Sequence, residues 1–270
     1  MYSIIYSSTR SDLATCCHDR TRKTVLDSWA WLGATEGLGA SCGSLGPSFI
    51  VSSMPNGHGR TVPTMQELKR GIYLDFEGNM NQQPTLLGTM KDDQSDFVIV
   101  EEVFKDCAGR AGSPCRYAPL DSSLRTLIEV AQEEDRRIIS WSEHDFRVMV
   151  EHLEDEHQSL LETCYVNAIF PAKRWRALKR PDDQGPNTLG HYMSLLGWNV
   201  PEGIGTGTVG PALTTVRNSL NQGTGAWTGL TGHQRGIWRG VVSHNRHDLK
   251  GMRRVLEGAV GEIWRWLGRL

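Results

Sequence analysis

The chain has 270 residues and nearly balanced charge, with 29 Lys and Arg against 31 Asp and Glu and a formal net charge of −2. A chain with this charge has no overall field that attracts nucleic acid, so such binding requires a local basic patch. No apolar run of about 18 or more residues occurs, so we expect no membrane-spanning segment and no membrane partner. The six cysteines contain no C-x-x-C pair, which predicts reduced thiols in a cytoplasmic protein rather than a zinc site.

Residues 1–64 differ in composition from the rest of the chain. They are rich in Ser, Thr, Gly and Cys, and repeated glycines interrupt every candidate element except a short helix over Thr21–Leu32. We predict a disordered leader, or an extension from an over-long gene model, because Met65 stands directly before a strongly structured segment. Residues 65–270 then form one domain of ordinary size.

Three strands are predicted soon after this boundary. β-branched and alternating apolar residues mark Ile72–Glu77, Thr85–Met90 and Asp96–Phe104. Because the connections between them are short, we expect an antiparallel meander.

The remaining elements are mainly helices. Apolar residues at helical spacing predict a helix from Asp121 or Ser122 to Glu134, a short strand over Arg137–Trp141 and a helix over Glu143–His157. The chain after Cys164 is mostly helical, and the last helix runs from about Val242 to Leu267. The order β-β-β-α-β-α predicts an α/β fold, in which helices flank a mixed sheet and the C-terminal half is helical.

The first predicted strand carries two carboxylates, Asp75 and Glu77. Residues two apart in a strand point to the same face, so the two charges lie side by side. Two like charges in a core are unfavourable unless a cation lies between them, and hard cations such as Mg²⁺ bind carboxylate oxygens. The alternative is an edge strand with two solvated acids, but the alternating apolar residues of this strand favour the metal site.

Two further acids stand at element ends. Asp145 lies just after a predicted strand, at the start of a helix, where the helix dipole also favours a carboxylate. His244 and Asp248 are four residues apart on the last helix and therefore share a face. Taken alone, the inward-pointing His and Asp are explained more simply by a structural pair that ties the helix down, and the alternative is a metal site with an adjacent proton acceptor.

Together these patterns resemble the DEDD group of 3′–5′ exonucleases in the ribonuclease-H-like superfamily. The resemblance rests on Asp75-x-Glu77, Asp145, Leu87-Gly88 and His244-Asn245-x-x-Asp248, and it covers about residues 70–257. It is clearest for a branch of predicted nucleases with a Tyr-Asn-x-x-Asp third motif, where this chain has His in place of Tyr.

The resemblance implies a two-metal-ion nuclease that acts on DNA or RNA, with a single-stranded end as the expected partner. Asp75, Glu77, Asp145 and Asp248 would hold two divalent cations, Mg²⁺ or Mn²⁺, roughly 3.5–4 Å apart. His244 would orient or deprotonate the attacking water.

A basic segment offers a candidate path for the nucleic acid. Its residues Lys173, Arg174, Trp175 and Arg176 combine cations with an aromatic ring, as phosphate contacts and base stacking require. A solvated helix face anchored by Trp175 is the alternative.

Two other functions compete with the nuclease. One is a ribonuclease-H-like domain without activity that serves as a nucleic-acid-binding or protein scaffold. The other is a helical metallohydrolase, since His144-Asp145 and His247-Asp248 are both His-Asp dipeptides. That fold is all-helical and leaves Asp75 and Glu77 without a role.

Overall fold

A computed structural model of the chain describes residues 62–268, apart from positions 111, 113, 199–206 and 224. The described residues belong to one compact unit. Except for residues 62–64, the predicted leader lies outside the described part of the chain.

A mixed sheet forms the centre of the fold. Its strands in the described residues are β1 (Ile72–Gly78), β2 (Pro84–Lys91), β3 (Gln94–Ile99), β4 (Cys115–Tyr117), β5 (Ile138–Ser140) and β6 (Tyr165–Asn167). They are arranged in the order β4-β3-β2-β1-β5-β6. The antiparallel pairs β1–β2 and β2–β3 confirm the predicted meander, and β5 pairs in parallel with both β1 and β6.

Helices cover both faces of the sheet. They are α1 (Met65–Arg70), α2 (Leu120–Glu133), α3 (Glu143–Glu151), α4 (Asp155–Cys164), α5 (Ile169–Lys179), α6 (Leu189–Leu195), α7 (Val209–Gln222) and α8 (Gly232–Leu267). Short 3-10 helices span Glu102–Cys107 and Trp227–Gly229. The α/β class, the mixed sheet and the helical C-terminal part are therefore as predicted. None of the described helices has the length and apolar character that crossing a membrane requires.

Alternation along β1 separates two apolar cores. Ile72 and Leu74 face the core formed with α2, α3 and α4, whereas Tyr73 faces the core formed largely with α5 to α8. Asp75 and Glu77 continue the Tyr73 face, because side chains two residues apart point the same way. The two acids therefore lie on the side of the sheet that α8 covers.

The start of the described chain is fixed to this unit. Thr64 accepts a hydrogen bond from Glu67 N at 3.1 Å, and the Glu67 carboxylate accepts one from Thr64 N at 2.8 Å. This reciprocal capping box satisfies two backbone donors of α1. In addition, Trp264 Nε1 donates to Pro63 O at 3.2 Å. Residues just before Met65 therefore contribute to the folded unit.

Two predicted elements end earlier than expected. β3 stops at Ile99 rather than near Phe104, because Phe104 lies in a 3-10 helix and stacks in the core against Trp238, with 5.3 Å between ring centroids. The predicted helix over Glu143–His157 is divided into α3 and α4. At the break, Gln158 Nε2 donates to the carbonyls of Val150 and Leu153 at 3.1 and 2.8 Å.

Other elements were not predicted, or are longer than predicted. β4 and β6 have three residues each, too few to show a periodicity. Helix α8 begins at Gly232, ten residues before the predicted start, because Thr231 and Gln234 form a capping box. The sheet also excludes the all-helical metallohydrolase fold.

Candidate active site

Four carboxylates meet near the carboxyl end of β1. Glu77 is 8% exposed and Asp145, at the start of α3, is 6% exposed. Burial is the largest cause that raises the pKa of Asp75, and the charges of Glu77, Asp248 and Asp145 raise it further, so each of these three acids lies within electrostatic reach of Asp75. The other three acids of the sequence motif therefore act electrostatically on Asp75, and their convergence on shared cations stays a prediction.

The middle of α8 supplies the third part of the cluster. His244 Nε2 lies 3.5 Å from Asp248 Oδ2 and 4.0 Å from Glu77 Oε1. The first of these contacts follows from the spacing of four residues on one helix. The imidazole therefore stands between a carboxylate of the sheet and a carboxylate of the helix.

Asn245 ties α8 directly to Asp75. The Asn245 Nδ2 group donates to Asp75 Oδ2 at 2.8 Å and to Asp75 O at 3.1 Å. The side chain crosses β2 at Gly88, the residue paired with Asp75, and a Cβ at position 88 would lie 1.6 Å from Asn245 Oδ1. Only glycine leaves room for this contact. Both Asn245 and Gly88 belong to the sequence motif, although the motif alone indicates no role for either residue.

Asp145 has a structural partner of its own. Its Oδ2 atom accepts hydrogen bonds from Ser142 N and Ser142 Oγ, both at 3.1 Å. These contacts stabilise the first turn of α3, as a carboxylate near a helix N-terminus does. Asp145 therefore caps its helix and also adds its charge to the cluster.

Burial and mutual repulsion raise the pKa values of the acids. Burial is the largest cause for Asp75 and for Glu77, and neighbouring carboxylates raise both pKa values further. Burial also raises the pKa of Asp248 to about 7. The pKa of His244 is lowered, first by burial and then by the neighbouring His247. The protein alone thus favours protonated acids beside a neutral imidazole.

The oxygen atoms of the carboxylates are the kind of ligand that a hard cation prefers. Glu77 Oε1 and Asp248 Oδ1 are buried and, within the described residues, lack a hydrogen-bond partner. Buried anionic oxygens without partners are unfavourable, and a divalent cation would satisfy them.

The arrangement of these atoms is different from that of a formed metal site. Among the described residues, no group of three or more His, Cys, Asp or Glu side chains is placed to hold a metal ion. The acids instead point to protein groups: Asp75 to Asn245, Asp145 to Ser142, and Asp248 to His244. Cation binding would therefore require side chains to turn toward a common point, and the two-cation centre stays a prediction.

The basic segment on α5 is only partly available to a nucleic acid. Trp175 is 3% exposed and lies in the core, so its ring is not free to stack on a base. Arg176 donates to Gly185 O and Asn187 Oδ1, both at 2.8 Å, and lies over the Tyr192 ring. The predicted stacking role of Trp175 is therefore wrong for this conformation, because helix packing buries the ring.

Lys173 and Arg174 remain exposed on the outer face of α5. Phosphate contacts in this segment are thus limited to exposed cations, as in the solvated-face alternative. Their binding to nucleic acid stays a prediction.

Comparison with known proteins identifies no relative of this chain. No protein-family model matches the chain, and neither does a curated protein or a solved structure. Only the residues of the site therefore indicate its function.

Proposed function

We propose that this protein is a metal-dependent nuclease of the DEDD type with a ribonuclease-H-like fold. The proposed reaction is hydrolysis of phosphodiester bonds in DNA or RNA, acting 3′–5′ from a single-stranded end. The observation that carries the proposal is the cluster of Asp75 with three further carboxylates. Among the described residues, Glu77 Oε1 and Asp248 Oδ1 are buried and have no hydrogen-bond partner. Clusters of perturbed acids are typical of functional sites.

Each residue of the cluster has a role in this proposal. Asp75, Glu77, Asp145 and Asp248 would hold two divalent cations. Such cations lower the pKa of bound water and stabilise the leaving oxygen. His244 would accept a proton from the attacking water, because its lowered pKa keeps the imidazole neutral.

The fold is compatible with this proposal. The antiparallel meander β1–β3 and the later parallel strand β5 enclose the acidic strand β1 in the middle of the sheet. Asp145 follows β5, which pairs in parallel with β1. Asp145 and the acids of β1 therefore lie near the carboxyl ends of neighbouring parallel strands. Ligands of open α/β sheets bind at this edge.

One observation favours a second function, an inactive nucleic-acid-binding or protein scaffold. Among the described residues, the side chains of the site do not form a metal-binding group. The Asp75 carboxylate instead accepts a hydrogen bond from Asn245 Nδ2. A scaffold would keep the acids as a structural network without cleaving a substrate.

A cleavage assay separates these functions. The protein is incubated with end-labelled single-stranded DNA and RNA in Mg²⁺ or Mn²⁺, beside the variant Asp75→Asn and the surface control Asp121→Asn. We expect cleavage by the wild type and the control, and loss of cleavage in Asp75→Asn. Cleavage that survives in Asp75→Asn would refute the proposed site. Binding of nucleic acid without cleavage by the wild type would favour the scaffold.

A further inference from the structure

Helix α8 carries an excess of positive charge. Its sequence contains seven Lys and Arg residues but only three acids. Each of the three acids already has a partner: Asp248 lies beside His244, Glu257 pairs with Arg253, and Glu262 pairs with Lys179. The charges of the other cations are therefore not offset by acids of the same helix.

Four of these cations form a row on the outer surface of α8. Arg246, Lys250 and Arg254 are spaced by four residues, and Arg239 lies two turns before Arg246, so all four share one face. Arg239, Lys250 and Arg254 are exposed, and Arg246 is half-buried. This row, called the α8 ridge, is about 22 Å long at 1.5 Å per residue.

Aromatic rings rather than carboxylates orient two of the ridge arginines. The Arg246 guanidinium lies 5.0 Å from the centroid of the Phe97 ring, and the Arg254 guanidinium lies 4.9 Å from that of Trp198. A ring orients the guanidinium plane without using its N–H donors. Within the described residues, none of the four ridge cations has a hydrogen bond or an ion pair. Their donors are therefore available to an anion.

The opposite side of the sheet carries exposed acids. Such acids, without an ion pair among the described residues, occur on each of α2, α3 and α4: Glu129, Glu133, Glu151 and Glu156. These three helices pack on one face of β1, and α8 packs on the other. The formal net charge of −2 thus conceals a local positive surface on α8. Charge divided in this way turns the α8 side of the protein toward a polyanion.

A linear polyanion fits the α8 ridge better than a small anion does. The cations follow one another along a line, as do the phosphates of a nucleic acid strand. Arginine donors are suited to paired hydrogen bonds with phosphate oxygens. The ridge also occupies the same turns of α8 as His244 and Asp248, so about one helix diameter, 10–12 Å with side chains, separates it from the carboxylate cluster.

We propose that the α8 ridge binds the phosphate backbone of a nucleic acid strand outside the carboxylate cluster. The role of the ridge rests on the proposed nuclease function and adds to it an anchoring surface whose contacts do not depend on the base sequence. The strand then follows α8, whereas the sequence analysis predicted a path along α5 at Lys173 and Arg174.

Fluorescence anisotropy of a labelled single-stranded DNA tests the ridge with the full chain, in a chelating buffer that prevents metal-dependent cleavage. The variant Lys250→Gln/Arg254→Gln is compared with Lys173→Gln/Arg174→Gln, which removes the same charge from α5. We expect the α8 variant to bind about tenfold more weakly. Its slope of log K against log salt should fall by about 1.4, at about 0.7 per phosphate contact. The α5 variant should change neither quantity.

A second pair of variants controls for net charge. Lys250 on α8 and Arg147 on α3 are both exposed, lie on opposite sides of the sheet, and within the described residues have no ion pair. Lys250→Gln should weaken DNA binding and Lys250→Glu should weaken it further, whereas Arg147→Gln and Arg147→Glu should not. Thermal melts verify that each variant is folded.

Three results would overturn the ridge. Equal losses in Lys250→Gln and Arg147→Gln would show a response to net charge alone. Undiminished DNA binding by Lys250→Gln/Arg254→Gln, or no binding by the wild type, would show that the ridge does not hold a strand. Loss of binding to phosphatidylserine vesicles in that variant, with DNA binding intact, would assign the ridge to a lipid surface.

The ridge and the nuclease can fail separately. If the ridge variants lose DNA binding but the wild type cleaves no substrate in Mg²⁺ or Mn²⁺, the ridge stands and the proposed reaction is wrong. If the wild type cleaves nucleic acid while Lys250→Glu keeps its full DNA affinity and salt dependence, the reaction stands and the ridge is wrong.

Discussion

Replacing Gly88 by alanine should break the contact between Asn245 and Asp75. The new Cβ would lie 1.6 Å from Asn245 Oδ1, so the Asn245 side chain must move by nearly 2 Å to restore ordinary contact. A shift of that size breaks the hydrogen bonds of 2.8 and 3.1 Å to Asp75. Each is worth about 1 kcal/mol, and a displaced buried amide adds a further penalty. We expect a loss of about 2–4 kcal/mol in unfolding free energy.

Thermal unfolding of four proteins measures this coupling: wild type, Gly88→Ala, Asn245→Ala and the double variant. A loss of 2–4 kcal/mol corresponds to about 5–15 °C in Tm for a domain of this size. Once Asn245 is truncated, the new methyl group meets no obstacle, so the double variant should be at least as stable as Asn245→Ala. Gly261→Ala is a matched control, because its Cβ would lie an ordinary 3.8 Å from Met65 Sδ.

Additive effects of Gly88→Ala and Asn245→Ala on stability would refute the proposed coupling between the two residues. If Gly88→Ala lowers Tm equally in the presence and absence of the Asn245 side chain, the glycine is needed for another reason. Unchanged stability of Gly88→Ala would show that Asn245 reaches Asp75 by another path.

Three more predictions concern the site and the start of the domain. In metal-free buffer, Asp248→Asn should be more stable than wild type at pH 8, by up to about 4 kcal/mol, and the difference should fade near pH 4. Folding raises the pKa of Asp248 from 3.8 to about 7. Protonation of Asp248 therefore stabilises the folded wild type below pH 4, and this stabilisation is lost as pH rises through 7. Melts at pH 4, 6 and 8 that show a constant difference in Tm between the two proteins would contradict this prediction. His244→Ala should lower the cleavage rate about 10²–10⁴-fold without weakening substrate binding, and His244→Tyr should retain more activity; equal rates of the two variants would rule out a proton-accepting role. A chain that starts at Val62 should melt like the full protein, whereas one that starts at Met65 loses the Thr64 cap and about 1 kcal/mol; identical Tm values for the two truncated chains would show that the cap contributes nothing.

Strand and helix patterns predicted the framework of the site. The strands β1 and β2 and the amphipathic helix α2 could be predicted because their apolar side chains recur at a regular spacing along the sequence. Asp75 and Glu77 could be identified as candidate site residues because carboxylates are unfavourable in a strand whose other residues are mainly apolar. Their common face was confirmed by the opposite placement of Tyr73 and Leu74 in the two cores.

Features that depend on contacts between distant elements were not predictable in the same way. The role of Asn245 depends on the close approach of α8 to Gly88, more than 150 residues earlier. Trp175 looked suitable for stacking because its neighbours are basic, but packing of α5 decides its burial. The arrangement of the acids toward Ser142, Asn245 and His244 also follows from three-dimensional neighbours rather than from local spacing.

Helix α8 connects the site with most of the described domain. It has 36 residues, about 54 Å at 1.5 Å per residue, and contacts β1, β2, α1, α5, α6 and α7. A segment with so many partners is expected to open only when the whole domain opens, so amide protons around His244 should exchange with solvent as slowly as those of β1. Heat should consequently abolish the site and the fold at one temperature, and any inhibitor bound at Asp248 would act as a stabiliser of the entire domain.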